Sequence, residues 1–441
     1  MKRYRITTLG CKVNQCESEG IAQALSGAGW IAATEGPVDL VVVNTCTVTG
    51  RAAMQSRGAV RQAVRACPDA QVVVTGCSAQ TESERLAEIP GVTAVVGHAD
   101  KHRIPEMAQK LAAETAGEPP GPRMYIRDLT DFREFAPAPA LGIGERTRPF
   151  LKIQDGCDAF CTYCIVPHAR GRSRSMKTEA VLHRIAAMAE AGVKETVLTG
   201  IHLGRWGQDL SPPSSLAALL RQIDAQGRMA RVRLSSIESH ELTDDLLSVL
   251  AESERFCHHL HIPLQSGDDG VLHRMGRPYT AVDFAERVKT AARRFPNAAI
   301  GADVLMGFPG EDEKAFENTH RLMSALPVAY LHVFPFSPRA GTPAADFSHP
   351  VPPDQVKERC RQMRALGAAK RIAFYQRFVG RTVSVLVEET RDRATGCRKG
   401  VSGNYLNVRL KAGGEGYPNQ IVPVRLDAVD RQCRAWGTVV N

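Results

Sequence analysis

Three cysteines in the middle of the chain have the spacing of a metal-binding loop. Cys157, Cys161 and Cys164 lie in the stretch GCDAFCTYC, immediately after the predicted strand FLKIQDG. Three thiolates on one tight loop can bind three irons of a cubane [4Fe–4S] cluster, which leaves the fourth iron without a protein ligand. The open coordination position would allow a substrate or cofactor to bind the metal directly.

A zinc site is the main alternative for this loop, because Cys157, Cys161, Cys164 and His168 form a valid Cys3His ligand set. The position of the loop argues against zinc, because it follows the first strand of a predicted barrel. Barrel enzymes carry their chemistry at the carboxyl ends of the strands. Three cysteines that share this spacing by chance are the remaining alternative.

A second set of three cysteines is spread over the first hundred residues. The stretches TTLGC, VVNTC and VVTGC end at Cys11, Cys46 and Cys77, each at the same place after an apolar run. The carboxyl ends of parallel strands meet at one edge of a sheet, where ligands bind. The sequence therefore predicts a second three-thiolate cluster site, with plain core cysteines as the alternative.

The other cysteines lack this pattern. Cys16, in the stretch TLGCKVNQCES, is placed at the start of the following helix and is predicted to be a spectator. The remaining cysteines are predicted to be buried or incidental thiols: Cys67, Cys257, Cys360, Cys397 and Cys433.

The totals limit the class of protein. The chain has 441 residues, 12 cysteines and a formal net charge of +9, which allows two to four domains and suggests an anionic partner such as nucleic acid. The chain start MKRYRITTLG has no apolar signal-peptide core, and no run of about 18 apolar residues predicts a membrane span. We expect a cytoplasmic protein, whose reduced cysteines are not a disulfide framework.

The elements that position these residues form an α/β chain with three predicted domains. Buried apolar strands alternate with amphipathic helices over residues 1–111, which predicts a doubly wound parallel α/β domain. Residues 112–145 are rich in Pro, Ala and Gly and are predicted to be a linker that includes the short strand RMYIRDL.

The alternation resumes in residues 146–375 with six predicted strands, which favour a partial (β/α)6 barrel over a complete eight-unit one. These strands are FLKIQDGC, ETVLTGIHLG, RVRLSSIE, HLHIPLQSG, AIGADVLMGFPG and YLHVFPFSP. Residues 376–441 contain short β runs between glycine-rich turns and are predicted to form a small antiparallel β-barrel. This last segment holds eleven Lys and Arg against six Asp and Glu, which favours nucleic-acid binding.

The central cysteine loop resembles the signature of the radical S-adenosylmethionine (SAM) superfamily. The resemblance implies that SAM binds the open iron and is cleaved reductively to a 5′-deoxyadenosyl radical, a cofactor species that attacks weakly acidic C–H bonds. SAM would lie across the carboxyl ends of the barrel strands. Its candidate contacts are Tyr163 on the cysteine loop, Gly200 in TVLTGIHLG, Glu238 in LSSIESHE and Gln265 in HIPLQSG.

Four further positions remain ambiguous. Arg170, Arg172 and Arg174, in HARGRSRS, would hold phosphates or the SAM carboxylate, or would be solvated or ion-paired. Asp303 ends a strand in the same way as the candidate SAM contacts, and no role is assigned to it.

The whole architecture resembles the methylthiotransferases, which carry an N-terminal cluster domain, a radical SAM barrel and a C-terminal TRAM module. The resemblance implies that Cys157, Cys161 and Cys164 hold the radical-generating [4Fe–4S] cluster. It further implies an auxiliary [4Fe–4S] cluster that supplies or relays sulfur to an inert carbon, while a second SAM supplies the methyl group. The auxiliary ligands would be Cys11, Cys46 and Cys77.

Within the family, TLGCKVNQCESE is most similar to the branch that acts on N6-threonylcarbamoyladenosine at position 37 of tRNA, where C2–H becomes C2–SCH3. The branches that act on isopentenyl-adenosine or on a ribosomal-protein aspartate are alternatives. A non-enzymatic iron–sulfur RNA-binding regulator and a zinc-stabilised RNA-binding protein also remain open. The implied partners are the tRNA anticodon stem-loop, an electron donor such as flavodoxin or ferredoxin, and a sulfur donor, with no membrane.

Overall fold

The computed structural model describes residues 1–113, 121–135, 146–411 and 416–440, with the side chains of residues 111–113 left aside. The chain divides into two compact units. The first contains residues 1–144, 152–176 and 337–345, and the second contains residues 145–151, 177–336 and 346–441.

Much of the predicted linker, residues 114–120 and 136–145, lies outside the described residues, and the predicted domain boundaries stay a prediction. Within the described ranges, no helix is long and apolar enough to cross a membrane.

The first unit is built on a parallel sheet. Its strands are β1 (Arg3–Thr8), β2 (Ile31–Ala32), β3 (Leu40–Thr45), β4 (Gln71–Gly76), β5 (Val92–Val96) and β6 (Arg123–Tyr125). Its first helices are α1 (Lys12–Gly27), α2 (Gly50–Ala66), α3 (Cys77–Thr81), α4 (Ser83–Ala87) and α5 (Ile104–Ala113). The strand order is β2-β1-β3-β4-β5-β6, and every pair is parallel.

Both faces of this sheet are covered, which confirms the predicted doubly wound fold. One core contains side chains of α1 and α5, and the other contains side chains of α2 and α4. All six residues of β3 are buried, as expected for a β-branched strand between two helical layers. The strand order reverses between β1 and β3, and such a switch point is where open α/β sheets bind ligands.

The elements from residue 150 onward follow in chain order. They are β7 (Phe150–Lys152), β8 (Gln154–Asp155), α6 (Val166–Arg170), β9 (Arg174–Ser175), α7 (Thr178–Glu190), β10 (Glu195–Thr199), α8 (Leu216–Gln226), β11 (Arg231–Leu234), α9 (Asp244–Glu252), β12 (His259–His261), α10 (Asp269–Arg274), α11 (Ala281–Arg294), β13 (Ala299–Met306), α12 (Glu313–Ala325), β14 (Tyr330–Pro335) and α13 (Pro353–Gln376).

Six of these strands form the predicted partial barrel. They make two three-stranded sheets, ordered β11-β10-β7 and β12-β13-β14. Two isolated parallel bridges, Val232 to Phe256 and Ser236 to His261, link the sheets. The strands β8 and β9 form a separate short antiparallel pair in the first unit.

The C-terminal segment closes into a five-stranded barrel. Its strands are β15 (Thr382–Arg391), β16 (Arg398–Ser402), β17 (Asn407–Leu410), β18 (Ile421–Val429) and β19 (Ala435–Val439). The order is β15-β16-β17-β19-β18. The small β-barrel is therefore confirmed, with the refinement that β17 and β19 pair in parallel while the other pairs are antiparallel.

One buried arginine joins the C-terminal barrel to the six-stranded barrel. Arg233, on β11, donates from Nε to Oε1 of the buried Glu195 at 2.8 Å. Its two other nitrogens donate to the carbonyl oxygens of Ser402 at 3.0 Å and Gly403 at 3.1 Å. Its guanidinium carbon also lies 5.2 Å from the ring centroid of Tyr405. The guanidinium thus donates hydrogen bonds to acceptors in both barrels.

We expect Arg233→Ala to lower the free energy of unfolding of the second unit by about 3–5 kcal/mol, because it leaves the buried Glu195 carboxylate with only the more distant Arg231, 3.8 Å away. Denaturant unfolding measures the change. The matched control is Arg287→Ala, whose pair with Asp244 is exposed and should contribute less than about 1 kcal/mol. Equal effects of the two substitutions would contradict this assignment.

Candidate functional site

The three N-terminal cysteines of the predicted second site meet at one edge of the parallel sheet. Cys11 follows β1 and caps α1, Cys46 follows β3, and Cys77 follows β4 as the first residue of α3. Since β1, β3 and β4 are neighbours in the sheet, their parallel ends bring the cysteines together. Cys46 and Cys77 are buried and Cys11 is exposed.

Glycines hold two of these strand ends close together. Gly10 and Gly76, which directly precede Cys11 and Cys77, both have a φ of +96°, a region that side chains with a Cβ rarely adopt. A Cβ on Gly10 would lie 2.8 Å from Sγ of Cys46, and a Cβ on Gly76 would collide with the main-chain oxygen of Thr45. The sheet edge that carries Cys11, Cys46 and Cys77, called the cysteine edge below, therefore needs glycine at both positions.

Two of the three thiols of this edge, those of Cys46 and Cys77, are buried. Burial, together with the neighbouring Cys11 and Cys46, raises the pKa of Cys77 to about 11. Burial also raises the pKa of Cys46, whose amide donates to Oγ of Ser56 at 2.9 Å. A bound metal stabilises thiolates in such a place by replacing their protons, so the donor set fits an iron–sulfur cluster.

The central cysteine loop is also closely held. The amide of Cys157 donates to the carbonyl oxygen of Gly171 at 3.0 Å, and the amide of Cys164 donates to that of Cys161 at 2.9 Å. Gly156, just before the loop, has a φ of +72°, and a Cβ there would collide with the carbonyl oxygen of Arg172. Three thiols on one constrained turn fit the predicted three-iron ligation.

A buried ion network links the two cysteine sites within the first unit. Glu17, on α1, accepts from Lys101 at 2.6 Å, from Lys152 at 2.9 Å and from Arg170 at 3.0 Å. Burial opposes ionisation of Glu17, but Arg170, Lys101 and Lys152 outweigh it and hold the pKa of this carboxyl well below its usual range. The carboxylate is therefore ionised under all ordinary conditions.

Asp155 is the second carboxylate of the network and lies two residues before Cys157. Its oxygens accept from Arg170 at 2.9 Å, from Lys152 at 3.0 Å and from the amide of Gly156 at 2.9 Å. This places the start of the cysteine loop against the same cations that bind Glu17.

Arg170 is the centre of the network. Its side chain is 1% exposed, and it also donates to Oδ1 of Asn14 on α1 at 2.6 Å. The guanidinium thus fastens α6, which follows Cys164, to the helix that follows Cys11. It acts electrostatically on the N-terminal thiols as well, since its charge lowers the pKa of Cys77 against the effect of burial.

The three arginines of HARGRSRS have different surroundings. Arg170 and Arg174 are buried, and Arg174 donates to the carbonyl oxygens of Arg170 at 2.9 Å and Arg172 at 2.8 Å. The ion-paired alternative is therefore right for Arg170, and burial leaves neither of these two open to a tRNA phosphate. Arg172 is half-buried, and its Nη1 lies 3.5 Å from Oδ1 of Asp158.

Cys16 does not belong to the cysteine edge. The sequence places Cys16 at the start of the helix, and this is wrong. The helix α1 begins at Lys12, so Cys16 lies more than one turn inside it. The residue lines a cavity of about 60 Å³ together with Glu17, Lys101 and Lys152, and none of Cys11, Cys46 and Cys77 lines that cavity. Its predicted spectator role is consistent with this placement and stays a prediction.

Three candidate SAM contacts follow neighbouring barrel strands of the second unit. Gly200 follows β10, Glu238 follows β11 and Gln265 follows β12. Glu238 is ion-paired with Arg277, and Gln265 has a φ of +73°. Tyr163 lies on the cysteine loop of the first unit. All four stay predictions.

Sequence reasoning missed two sets of residues. The network around Glu17 and Arg170 has no local signal, because its members are far apart in the chain. The second set is His261, Asp303 and His332, whose ligand atoms all lie within 4.8 Å of one another. Of these, only Asp303 had a signal, its place near the end of a barrel strand.

Comparison with known proteins identifies the family. A model of the Radical SAM superfamily matches residues 151–323, and a model described as Uncharacterized protein family UPF0004 matches residues 3–97. The threonylcarbamoyladenosine tRNA methylthiotransferase MtaB of Bacillus subtilis is 37% identical over 423 residues, which cover 95% of this chain and 92% of that protein. The chain belongs to the methylthiotransferase family and is of the MtaB type.

Other relatives, one of them with a different name, are also similar to this methylthiotransferase. The MtaB protein of Aquifex aeolicus is 34% identical over 93% of this chain and 96% of its own length. The tRNA-2-methylthio-N(6)-dimethylallyladenosine synthase of Erythrobacter litoralis is 34% identical over 88% of this chain and 87% of its own length.

Solved structures share the fold at low sequence identity. The radical S-adenosylmethionine methyltransferase TsrM from Kitasatospora setae, with cobalamin and a [4Fe-4S] cluster bound, has a TM-score of 0.56 and 17% identity. The alignment covers 78% of this chain and 77% of TsrM. The cobalamin-dependent enzyme OxsB has a TM-score of 0.52 and 12% identity over 83% of this chain and 57% of its own.

The chain is therefore an enzyme, a radical SAM methylthiotransferase, and its cofactors are SAM and two [4Fe–4S] clusters. The prediction that the protein uses [4Fe–4S] clusters is confirmed, and the assignment of the central loop as the ligands of one of them stays a prediction. The geometry agrees, because each of two constrained sites offers three thiols.

We expect Gly76→Ala to lose the N-terminal cluster selectively, because the new Cβ would collide with the backbone of β3 and displace Cys77. Iron and acid-labile sulfide per chain after anaerobic reconstitution should fall by about half, while SAM cleavage persists. The matched control is Gly29→Ala, which has a similar φ of +83° but no atom within 4 Å of the new Cβ. Full iron content in Gly76→Ala would refute the assignment.

Proposed function

We propose that this methylthiotransferase adds a methylthio group to C2 of N6-threonylcarbamoyladenosine at position 37 of tRNA. The observation that carries the proposal is the presence of two three-cysteine sites in one compact unit, in a chain of the MtaB type. Two clusters with open irons suit a reaction that needs both a radical and a sulfur source, whereas a regulator would need neither.

The first part of the proposal is the assignment of the ligands. Cys157, Cys161 and Cys164 hold the radical-generating cluster, and the auxiliary ligands are Cys11, Cys46 and Cys77. When bound, the clusters and SAM supply the radical that attacks the weakly acidic C2–H, the sulfur and the methyl group. The protein holds the ligands in place through the Gly10, Gly76 and Gly156 turns and keeps Cys46 and Cys77 away from water.

The second part concerns SAM. Gly200 permits close approach of the backbone to the methionine part of SAM, and Glu238 accepts from the ribose hydroxyls. Tyr163 and Gln265 complete the contacts. This assignment is supported by strand-end placement, because β/α barrels carry their chemistry at the carboxyl ends of the strands.

The third part concerns the partners. We propose the anticodon stem-loop of tRNA as substrate, because the C-terminal barrel carries most of the excess positive charge and electrostatic contacts dominate affinity for nucleic acid. An unpaired loop can present a base outside its stack. The reaction also needs an electron donor such as flavodoxin or ferredoxin and a sulfur donor, and a tRNA substrate implies a cytoplasmic location.

The isopentenyl-adenosine branch is the second candidate, because the relative from Erythrobacter litoralis that carries that activity in its name is 34% identical to this chain. The two candidates differ in the chemistry of the N6 substituent, which is polar and anionic in one and a hydrocarbon in the other.

We expect tRNA from a strain that lacks this gene to contain threonylcarbamoyladenosine without its methylthio form, as measured by nucleoside mass spectrometry. The intact gene should restore that form, and Cys16→Ala should restore it equally well. Cys11→Ala should fail to restore it although the purified variant still cleaves SAM to 5′-deoxyadenosine, because only the auxiliary site is altered. Cys157→Ala should lose both activities.

Loss of the methylthio form of isopentenyl-adenosine instead would show that the second candidate is correct. Restoration by Cys11→Ala would overturn the ligand assignment.

A further inference from the structure

A chain of polar side chains crosses strands β12 to β14 of the second unit. Nε2 of His261 lies 2.8 Å from Oδ1 of Asp303, and Nδ1 of His332 lies 3.2 Å from the same oxygen. On the other side, Nδ1 of His261 lies 3.1 Å from the hydroxyl of Tyr330. We call His261, Asp303 and His332 the barrel triad.

The triad lies on the inner face of the barrel. Side chains alternate along a strand, and Leu331 of β14 packs against Gly367 of α13, on the helix side. Tyr330 and His332 therefore point to the opposite face. A Cβ on Gly301 would collide with the Tyr330 ring, so Gly301 and Asp303 of β13 share that inner face.

Exposure rises along the triad. The side chains of His261, Asp303 and His332 are 8%, 19% and 48% exposed. The deeper end is closed by aromatic rings, since His259 stacks on Tyr405 with centroids 4.1 Å apart. The barrel interior is thus sealed below His261 and accessible at His332.

The triad also lies beside a predicted SAM contact. The carbonyl oxygen of Asp303 accepts from the amide of Gln265 at 2.9 Å, so Asp303 and Gln265 are neighbours across the ladder. A group that occupies the accessible end of the interior would therefore be next to the place where SAM is expected.

Asp303 is a fixed anion that orients both imidazoles. Burial opposes its ionisation, but hydrogen bonds from His261 and His332 outweigh it and hold the pKa of Asp303 well below its usual range. Because Nδ1 of His332 is turned to this carboxylate, Nε2 is left for a ligand. Among the described residues, none forms a hydrogen bond with Nε2 of His332.

We infer that the barrel triad binds the threonylcarbamoyl substituent of the substrate base, with His332 as the contact residue and Asp303 and His261 as positioning residues. The inference rests on the proposed function and names the group that selects the substrate. The substituent ends in a carboxylate and a hydroxyl. Because Nδ1–H of His332 is donated to Asp303, Nε2 of the neutral ring accepts from the hydroxyl, and Nε2–H of the imidazolium form donates to the carboxylate. A dimethylallyl group offers no polar atom to this site.

Discrimination follows from the cost of unpaired polar groups. A site that hydrogen-bonds its substrate rejects an analogue without the polar group, because the polar atoms of the site are then desolvated without a partner. The triad would therefore favour the threonylcarbamoyl base over the dimethylallyl base at the same position.

The test compares two tRNA substrates that carry either threonylcarbamoyl- or isopentenyl-adenosine at position 37. With the reconstituted enzyme, His332→Leu should raise KM for the first substrate and lower its kcat/KM by at least about tenfold, with little change for the second. Release of 5′-deoxyadenosine from SAM without tRNA should stay unchanged. His332→Gln, which keeps a donor, should recover part of the loss.

His320→Leu is the matched control, because His320 is on helix α12 and packs against Phe316 of the same helix. It should leave both substrates unaffected. An unchanged kcat/KM in His332→Leu, or an equal loss on both substrates, would overturn the inference. If the wild-type enzyme modifies only the isopentenyl substrate, the proposed function itself is wrong, which is a separate result.

Metal analysis gives the remaining outcome, because two imidazoles and a carboxylate also form a divalent cation site. Stoichiometric zinc in the reconstituted enzyme that is lost in Asp303→Asn would make the triad a metal site and overturn the inference. Absence of such a metal, with the selective loss in His332→Leu, is the expected result.

Discussion

A buried guanidinium, that of Arg170, is the interaction on which both cysteine sites depend. It contacts Glu17 and Asn14 on the helix after Cys11, and it contacts Asp155 just before Cys157. Burying so many charges is costly, and such a network is stable only if nearly every charge has partners. Here each carboxylate accepts from two or more cations, so loss of one member would leave others buried and unpaired.

The network contains more cations than carboxylates. Lys101, Lys152, Arg170 and Arg174 surround only two carboxylates, which leaves an excess of positive charge next to thiols. Thiolates bound to a cluster carry negative charge, and nearby cations stabilise them. Topology contributes independently, because the switch point between β1 and β3 brings Cys11 and Cys46 to the same edge.

Much of this arrangement follows from sequence, for identifiable reasons. Alternating apolar strands and helices predict both α/β regions, because periodicity is local. Convergence of Cys11, Cys46 and Cys77 is predictable, because parallel strands share an edge. The partners in the network are not predictable: the sequence allows an ion-paired role for Arg170 but does not identify Glu17 as its partner, since the two are 153 residues apart. The parallel pairing of β17 with β19 was missed because strand runs do not reveal which strands pair.

In the second unit, too, some features follow from the sequence and others do not. Six strands can be recognised in the sequence as apolar runs. The row of polar side chains from Tyr330 to His332 cannot, because it depends on which residues of three strands share the inner face. The sealing of the interior by Tyr405 depends on a separate barrel far along the chain. Both features come from tertiary packing and not from local pattern, although Asp303 already stood out by its position near a strand end.

The most direct test of the role of Arg170 is the EPR spectrum of the reduced Arg170→Gln protein, recorded with and without SAM, beside that of Arg172→Gln. With the ligand assignment proposed above, SAM binds the radical-generating cluster, so the two clusters are expected to give a SAM-sensitive and a SAM-insensitive signal. If a single guanidinium supports both sites, both signals should be altered or lost in Arg170→Gln and retained in Arg172→Gln. Wild-type signals in Arg170→Gln, or a change in only one of them, would contradict the account.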